Sequence, residues 1–196
     1  MNAVHRAAAI LLAGAACGND AGAGATFEGS IHGLAMQPKD AISSPATVAF
    51  SSGSAPVAAI VIGDVPQLCA KVSANLEPRS STLLLLFLAD VNPVSGAIQP
   101  AAGTGSFPVF RIGNGAAPPH FAMASFGAND ATCHAIDADS ADAVTGSVTL
   151  TANGAGAYSG MYDLTFDSGD HVTGSFHTGT CQALSDYLTR FTHDCG

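Results

Sequence analysis

The sequence predicts an all-β fold: an antiparallel β-sandwich with one or two short helices. Three observations point there. Charged residues make up only 11% of the 196-residue chain, while Gly, Ala, Ser and Thr abound, a profile that suits short strands and turns better than long surface helices. Apolar and polar residues alternate in several short runs separated by turn clusters. Finally, Gly146, Gly160 and Gly174 fall at equal intervals along GSVTLTANGAGAYSGMYDLTFDSGDHVTGSF, always at the apolar phase of three successive alternating runs.

The elements follow in chain order. MNAVHRAAAILLAGAACGND has one arginine, an apolar run from Ala7 to Ala16 and then Cys17, the pattern of a secretory signal. Residues 1–16 read as that signal, 17–25 as a tether and 26–196 as a single domain. LLAGAAC resembles a bacterial lipobox, in which the cysteine is lipidated and becomes the mature N-terminus, although Gly14 stands where Leu is usual. Ordinary cleavage after a small residue is the other reading. Five cysteines are an odd number. If Cys17 carries lipid, Cys69, Cys133, Cys181 and Cys195 remain as an even set for disulfides in an oxidising compartment. The favoured pairing is Cys181 with Cys195, closing a short loop, and Cys69 with Cys133. The absence of any CxxC argues against zinc.

Phe27, Gly29 and Ile31 alternate as a first strand, and MQPKDAISSPA reads as a loop. TVAF and VAAIVIG read as strands on either side of SSGSAP. In DVPQLCAKVSANLEP, Asp64 and Gln67 have capping-box spacing, and Leu68, Val72 and Leu76 share a helical face. Leu83 to Leu88 is apolar at both phases. Such a strand must be covered twice, by the opposite sheet and by the Leu68 helix. NPVSGAIQPAAGTG is a long connection, and SFPVFRIG and HFAMASFG are expected to pair. Leu184, Tyr187, Leu188 and Phe191 sit at helical spacing near the C-terminus.

The three glycine-marked strands admit a register. With DSG as a three-residue loop and Gly169 left-handed, Leu164 faces Val172, Tyr162 faces Gly174 and Gly160 faces Phe176. With NGA as a second such loop, Leu150 faces Tyr158, Val148 faces Gly160 and Gly146 faces Tyr162. Tyr162 then has a glycine on each side. A ring can lie over a neighbour that has no side chain and cover its bare backbone, so the repeat reads as packing. A phosphate cradle would need a strand leading into a helix and usually a nearby Lys.

TGSVTLT, GMYDLTFDSGDHVTGSF and the following Cys181 resemble a group of exported bacterial lipoproteins of unassigned function, in which GTVTLT, GSFDLTF and GDxLTGSFxxxxC recur near the C-terminus. GTGSFPVF and ATC are also similar. The resemblance covers the C-terminal half. It implies a β-sandwich exported on a lipid anchor and carries no active site.

Chemistry is sparse. Six Lys plus Arg against fifteen Asp plus Glu give a net charge of −9, which disfavours nucleic acid. His171 and His177 lie roughly 20 Å apart along one strand, too far to share an ion, whereas Asp163 and His171 are diagonal neighbours within roughly 7–8 Å. Asp137, Asp139 and Asp142 place oxygen ligands at close spacing, as in a calcium loop, but without its glycine turn or distal Glu. They read as a solvated acidic loop, with calcium as the rival. His134 beside Cys133 could polarise a thiol, but a disulfide is favoured there. No GxSxG, HExxH or SxxK occurs. The expected function is therefore a non-enzymatic envelope or secreted lipoprotein, held to a membrane through Cys17 and binding a protein or small molecule, with no cofactor. A secreted hydrolase or metal-dependent enzyme built on scattered His and Asp residues is the alternative.

Overall fold

The computed structural model describes residues 23–50, 53–111, 115–190 and 192–196. The predicted signal, Cys17 and Phe191 lie outside them. Among the described residues the protein is mostly β, with two short α-helices. The first half contains β1 (Gly24–Ala25), β2 (Glu28–Gly29), β3 (Asp40–Phe50), β4 (Gly53–Gly63), α1 (Leu68–Ser73), β5 (Leu76–Glu77), β6 (Ser81–Val91) and β7 (Ile98–Pro100). The second contains β8 (Gly105–Pro108), β9 (His120–Asn129), β10 (Ala141–Gly154), β11 (Ala157–Phe166), β12 (His171–His177), β13 (Gly179–Thr180), α2 (Ala183–Thr189) and β14 (Asp194–Cys195).

Twelve strands form one sheet whose main path is β1-β12-β11-β10-β9-β6-β4-β3-β13, while β5 and β14 pair separately. Only Thr178 separates β12 from β13, yet these two strands lie near opposite ends of that path. The sheet must therefore curl back toward its own beginning. A buried hydroxyl cluster sits at this seam. The Thr178 and Ser43 oxygens are 2.6 Å apart, Ser43 Oγ donates to the Gly156 carbonyl, and the Tyr158 amide donates to Thr178 Oγ1. The expectation of antiparallel pairing alone is corrected: β13 runs parallel to β3, and β14 parallel to β5. Each of these late segments lies against its partner in the direction imposed by the preceding connection.

β10 turns the corner of the curl. Its first residues pair with β9, and the same strand then pairs with β8. A bulge at Val144 lies between the two stretches, where an extra residue bends the strand. SFPVFRIG thus contributes β8 to β10 rather than a full partner for β9, which it touches through one bridge, Val109 with Ala122.

Curling creates an inside and an outside. Ile60, Ile62, Leu84, Leu86, Val148 and Leu164 belong to the inner core. Val57, Ala59 and Val61 point outward to a second cluster, where they meet Leu68 and Val72 of α1 and Leu184 of α2. β6 is covered twice, as its sequence requires: Leu84, Leu86 and Leu88 face inward, while Leu83 and Phe87 pack toward the helical side.

The β11–β12 register is the expected one: Leu164 pairs with Val172, Tyr162 with Gly174 and Gly160 with Phe176. The β10–β11 register is not. Leu150 faces Gly160, Val148 faces Tyr162 and Gly146 faces Leu164. The turn is a tight two-residue one at Ala155 and Gly156, both with positive φ, a geometry whose twist matches the flanking strands. A second bulge, at Thr151, takes up the remaining residue. Gly146 consequently belongs to the corner, with φ +116, and does not flank Tyr162. The ring-over-glycine packing survives at Gly174 and Gly160, where an added Cβ would overlap the Tyr162 and Phe176 rings respectively.

Two other expectations change. β3 begins at Asp40, inside the predicted loop, because the β3–β4 hairpin pairs without interruption from Asp40/Gly63 to Phe50/Gly53. Nor is α1 capped by Asp64, whose carboxylate instead accepts from the Thr82 amide and hydroxyl at 2.9 and 2.8 Å. Asp40 Oδ2 accepts the Leu68 amide at 2.8 Å, and the chain leaves the helix early enough for Leu76 to enter β5. Asp40→Ala should therefore lower stability by about 1 kcal/mol, read as a reduced urea midpoint. An unchanged midpoint would show that the cap contributes nothing.

Candidate functional site

The helical side of the sheet contains an apolar concavity. α1 and α2 pack on each other and on the outward faces of β3, β4 and β6 without filling the space beside β6 and β9. A half-open cleft of about 250 Å³ remains. Its walls are apolar: Leu68 and Leu184 from the helices, Leu83 and Leu85 from β6, and Leu188 at the mouth. The inward residues of β6 are committed to the core, which leaves its outward leucines to line this space.

One end of the cleft is polar. Glu77, half-buried at the end of β5, accepts a hydrogen bond on Oε1 from Asn129 Nδ2 at 2.7 Å. Its Oε2 accepts the Tyr187 hydroxyl. Burial first, and the adjacent Glu77 carboxylate second, push the Tyr187 phenol far above its ordinary range. Tyr187 therefore remains a donor at any physiological pH. His193 stacks on its ring with centroids 3.8 Å apart.

Two disulfides frame this region. Cys69 on α1 bonds Cys181, immediately before α2, and Cys133 bonds Cys195 in β14. Cys195 is the Cα partner of Glu77, so the second bond anchors the polar end of the cleft. All four expected cysteines are paired, but the favoured connectivity, Cys181–Cys195 with Cys69–Cys133, is corrected. Pairing of β14 with β5 seats Cys195 opposite Glu77, whose carbonyl also contacts Cys133 Sγ, while the packing of α2 on α1 brings Cys181 to Cys69. The two bonds belong to an oxidising, extracytoplasmic setting. Among the described residues no helix is long and apolar enough to cross a membrane.

The remaining candidates are separated by the fold. Asp137 and Asp139 lie on a 3₁₀ turn. Asp142 is the second residue of β10, where its carboxylate accepts the Ser125 hydroxyl at 2.6 Å. Among the described residues, no three His, Cys, Asp or Glu side chains gather as a metal site requires. Asp163 and His171 do meet, at 2.8 Å, on an exposed surface. His177 bonds Ser159 instead. His134 takes part in the loop around Asp130, whose carboxyl is held below its usual range by the Thr132 hydroxyl and by the His134 and Thr132 amides. A pair not anticipated from sequence is His120 with the nearly buried Asp90, Nδ1 to Oδ1 at 2.8 Å. Its two members are 30 residues apart, joined only by the pairing of β6 with β9.

Sequence reasoning found Tyr187 and the leucines as packing residues but missed Glu77 and Asn129. One signal was present: Glu77 is the sole carboxylate between Asp64 and Asp90, next to the most apolar strand. Comparison of the chain with protein-family models, curated proteins and solved structures found no match.

Proposed function

We propose that the protein is an exported, membrane-anchored lipoprotein with a non-enzymatic binding domain, and that its ligand occupies the cleft beneath α1 and α2. The observation that carries the binding assignment is an apolar, half-open cleft with one convergent polar group, the arrangement expected of a small-molecule site. Two disulfides hold its walls, so little ordering is left for a ligand to impose. In this reading the two halves of the curled sheet act as the layers of a β-sandwich, and the C-terminal motif marks membership of the lipoprotein group it resembles.

The anchor rests on cysteine arithmetic. Four of five cysteines bond one another, and Cys17 follows an apolar run in a lipobox-like setting. Mass spectrometry of the mature protein should find Cys17 as the first residue, carrying acyl chains. An unmodified start downstream of Cys17 would refute the anchor. The cleft has a separate test: titration with n-hexanol should shift the methyl resonances of Leu83, Leu85 and Leu188 before those of the inner core. Uniformly unmoved resonances at saturating hexanol would remove the cleft as a ligand site.

A further inference from the structure

We infer that the cleft takes a small amphipathic cation, its apolar body lying against the leucines and its ammonium group against Glu77. This rests on the cleft being a ligand site and adds the ligand's charge. The starting point is an imbalance at the polar end. The Glu77 carboxylate is half-buried, and its two hydrogen-bond partners, Asn129 and Tyr187, are both neutral. Among the described residues, no Lys, Arg or His nitrogen lies within ion-pair distance of it. Arg79, Lys71 and His193 of neighbouring segments make other contacts. Arg79 donates to the Cys195 carbonyl at 3.2 Å and Lys71 to the Gly196 carbonyl at 3.4 Å, while His193 lies against the Tyr187 ring and bonds Asn75.

An ionised carboxylate offers about four acceptor sites, and the two neutral donors leave capacity for more. Taking a charge partly out of water is costly unless it is paired. The described residues provide no cation here, and a ligand that did so would gain a charge-assisted hydrogen bond to a half-buried carboxylate. The alternatives gain less. A carboxylate would meet Glu77 with like charge, and an alcohol could donate one hydrogen bond but neutralise nothing. The net charge of −9 adds a field that concentrates cations around the protein. Cleft volume limits the body to a short alkyl or single-ring group.

The test is calorimetric titration of the exported protein, held in lipid nanodiscs, with n-hexylammonium chloride, n-hexanol and sodium hexanoate, using empty nanodiscs as blank. Hexylammonium should bind at least about tenfold more tightly than hexanol, and hexanoate more weakly than either. Glu77→Gln should abolish the ammonium preference, bringing hexylammonium affinity to that of hexanol or below. Tyr187→Phe, which keeps the carboxylate, should retain the preference. Equal affinity for hexanol and hexylammonium in the unmodified protein would overturn the inferred charge while leaving the cleft as a site. Failure of all three probes would remove the cleft itself. Should Glu77→Gln not fold, salt decides on the unmodified protein: added NaCl should weaken hexylammonium but not hexanol, and a salt-independent preference would overturn the inference.

Discussion

Gly174→Ala is expected to destabilise the protein by about 3 kcal/mol, at the upper end of the cost of overpacking a core. The methyl group would overlap both the Tyr162 ring and the Thr26 carbonyl. Neither neighbour can easily give way. Tyr162 is 2% exposed, and its hydroxyl donates to that same Thr26 carbonyl at 2.7 Å, so moving the ring also breaks one of the bonds that hold the segment between β1 and β2 on the sheet. Thr26 is held in turn by backbone and hydroxyl contacts to Ser175. The measurement is a urea unfolding curve. A double-mutant cycle with Tyr162→Leu makes it specific: removing the ring should recover part of the Gly174→Ala loss, giving a coupling of about 1 kcal/mol or more. A loss below about 1 kcal/mol, or strict additivity, would mean that the glycine does not serve the ring.

Loss of the Cys69–Cys181 bond should cost about 4 to 5 kcal/mol. The bond spans 112 residues, and in the chain-entropy description a closed loop of about 100 residues is worth about 4.7 kcal/mol. Native-state effects have the same sign, because this bond fastens α1 to α2 over the outward residues of β3 and β4. The Cys69→Ala/Cys181→Ala double variant should therefore show a markedly lower urea midpoint. The Cys133–Cys195 bond spans 62 residues and overlaps the first in sequence, so the two losses should not simply add. A double variant as stable as the parent would show that helix packing alone holds the cap in place.

The fold was legible wherever local pattern and burial agree. Leu83 to Leu88 announced a strand covered on both faces, and β6 is that strand. Gly169 announced its turn, and with the loop length settled the whole β11–β12 register followed, since a side-chain period of two leaves little freedom once one face must be buried. The neighbouring register failed because NGAGA contains three residues able to turn the chain. Ala155 and Gly156 took the positive φ values, and a bulge absorbed the difference. Disulfide connectivity failed for a related reason: separation in sequence says nothing about which distant element each cysteine meets.

Glu77 illustrates the same limit at the candidate site. By itself it is one acid in a turn-like stretch. It becomes distinctive only after β14 returns beside β5, α2 brings Tyr187 across, and β9 supplies Asn129.

Sequence alone determined the strand-rich class, the doubly covered leucine strand, the glycine–ring packing of β11 and β12, and which four cysteines could pair downstream of Cys17. All of these depend on residues close in the chain, on the period of a strand, or on counting. Tertiary structure decided the curl of the sheet, the partner of each cysteine and the cleft with its unneutralised carboxylate. Those depend on which distant segments meet, and many meetings satisfy the same hydrophobic pattern until the whole core is packed.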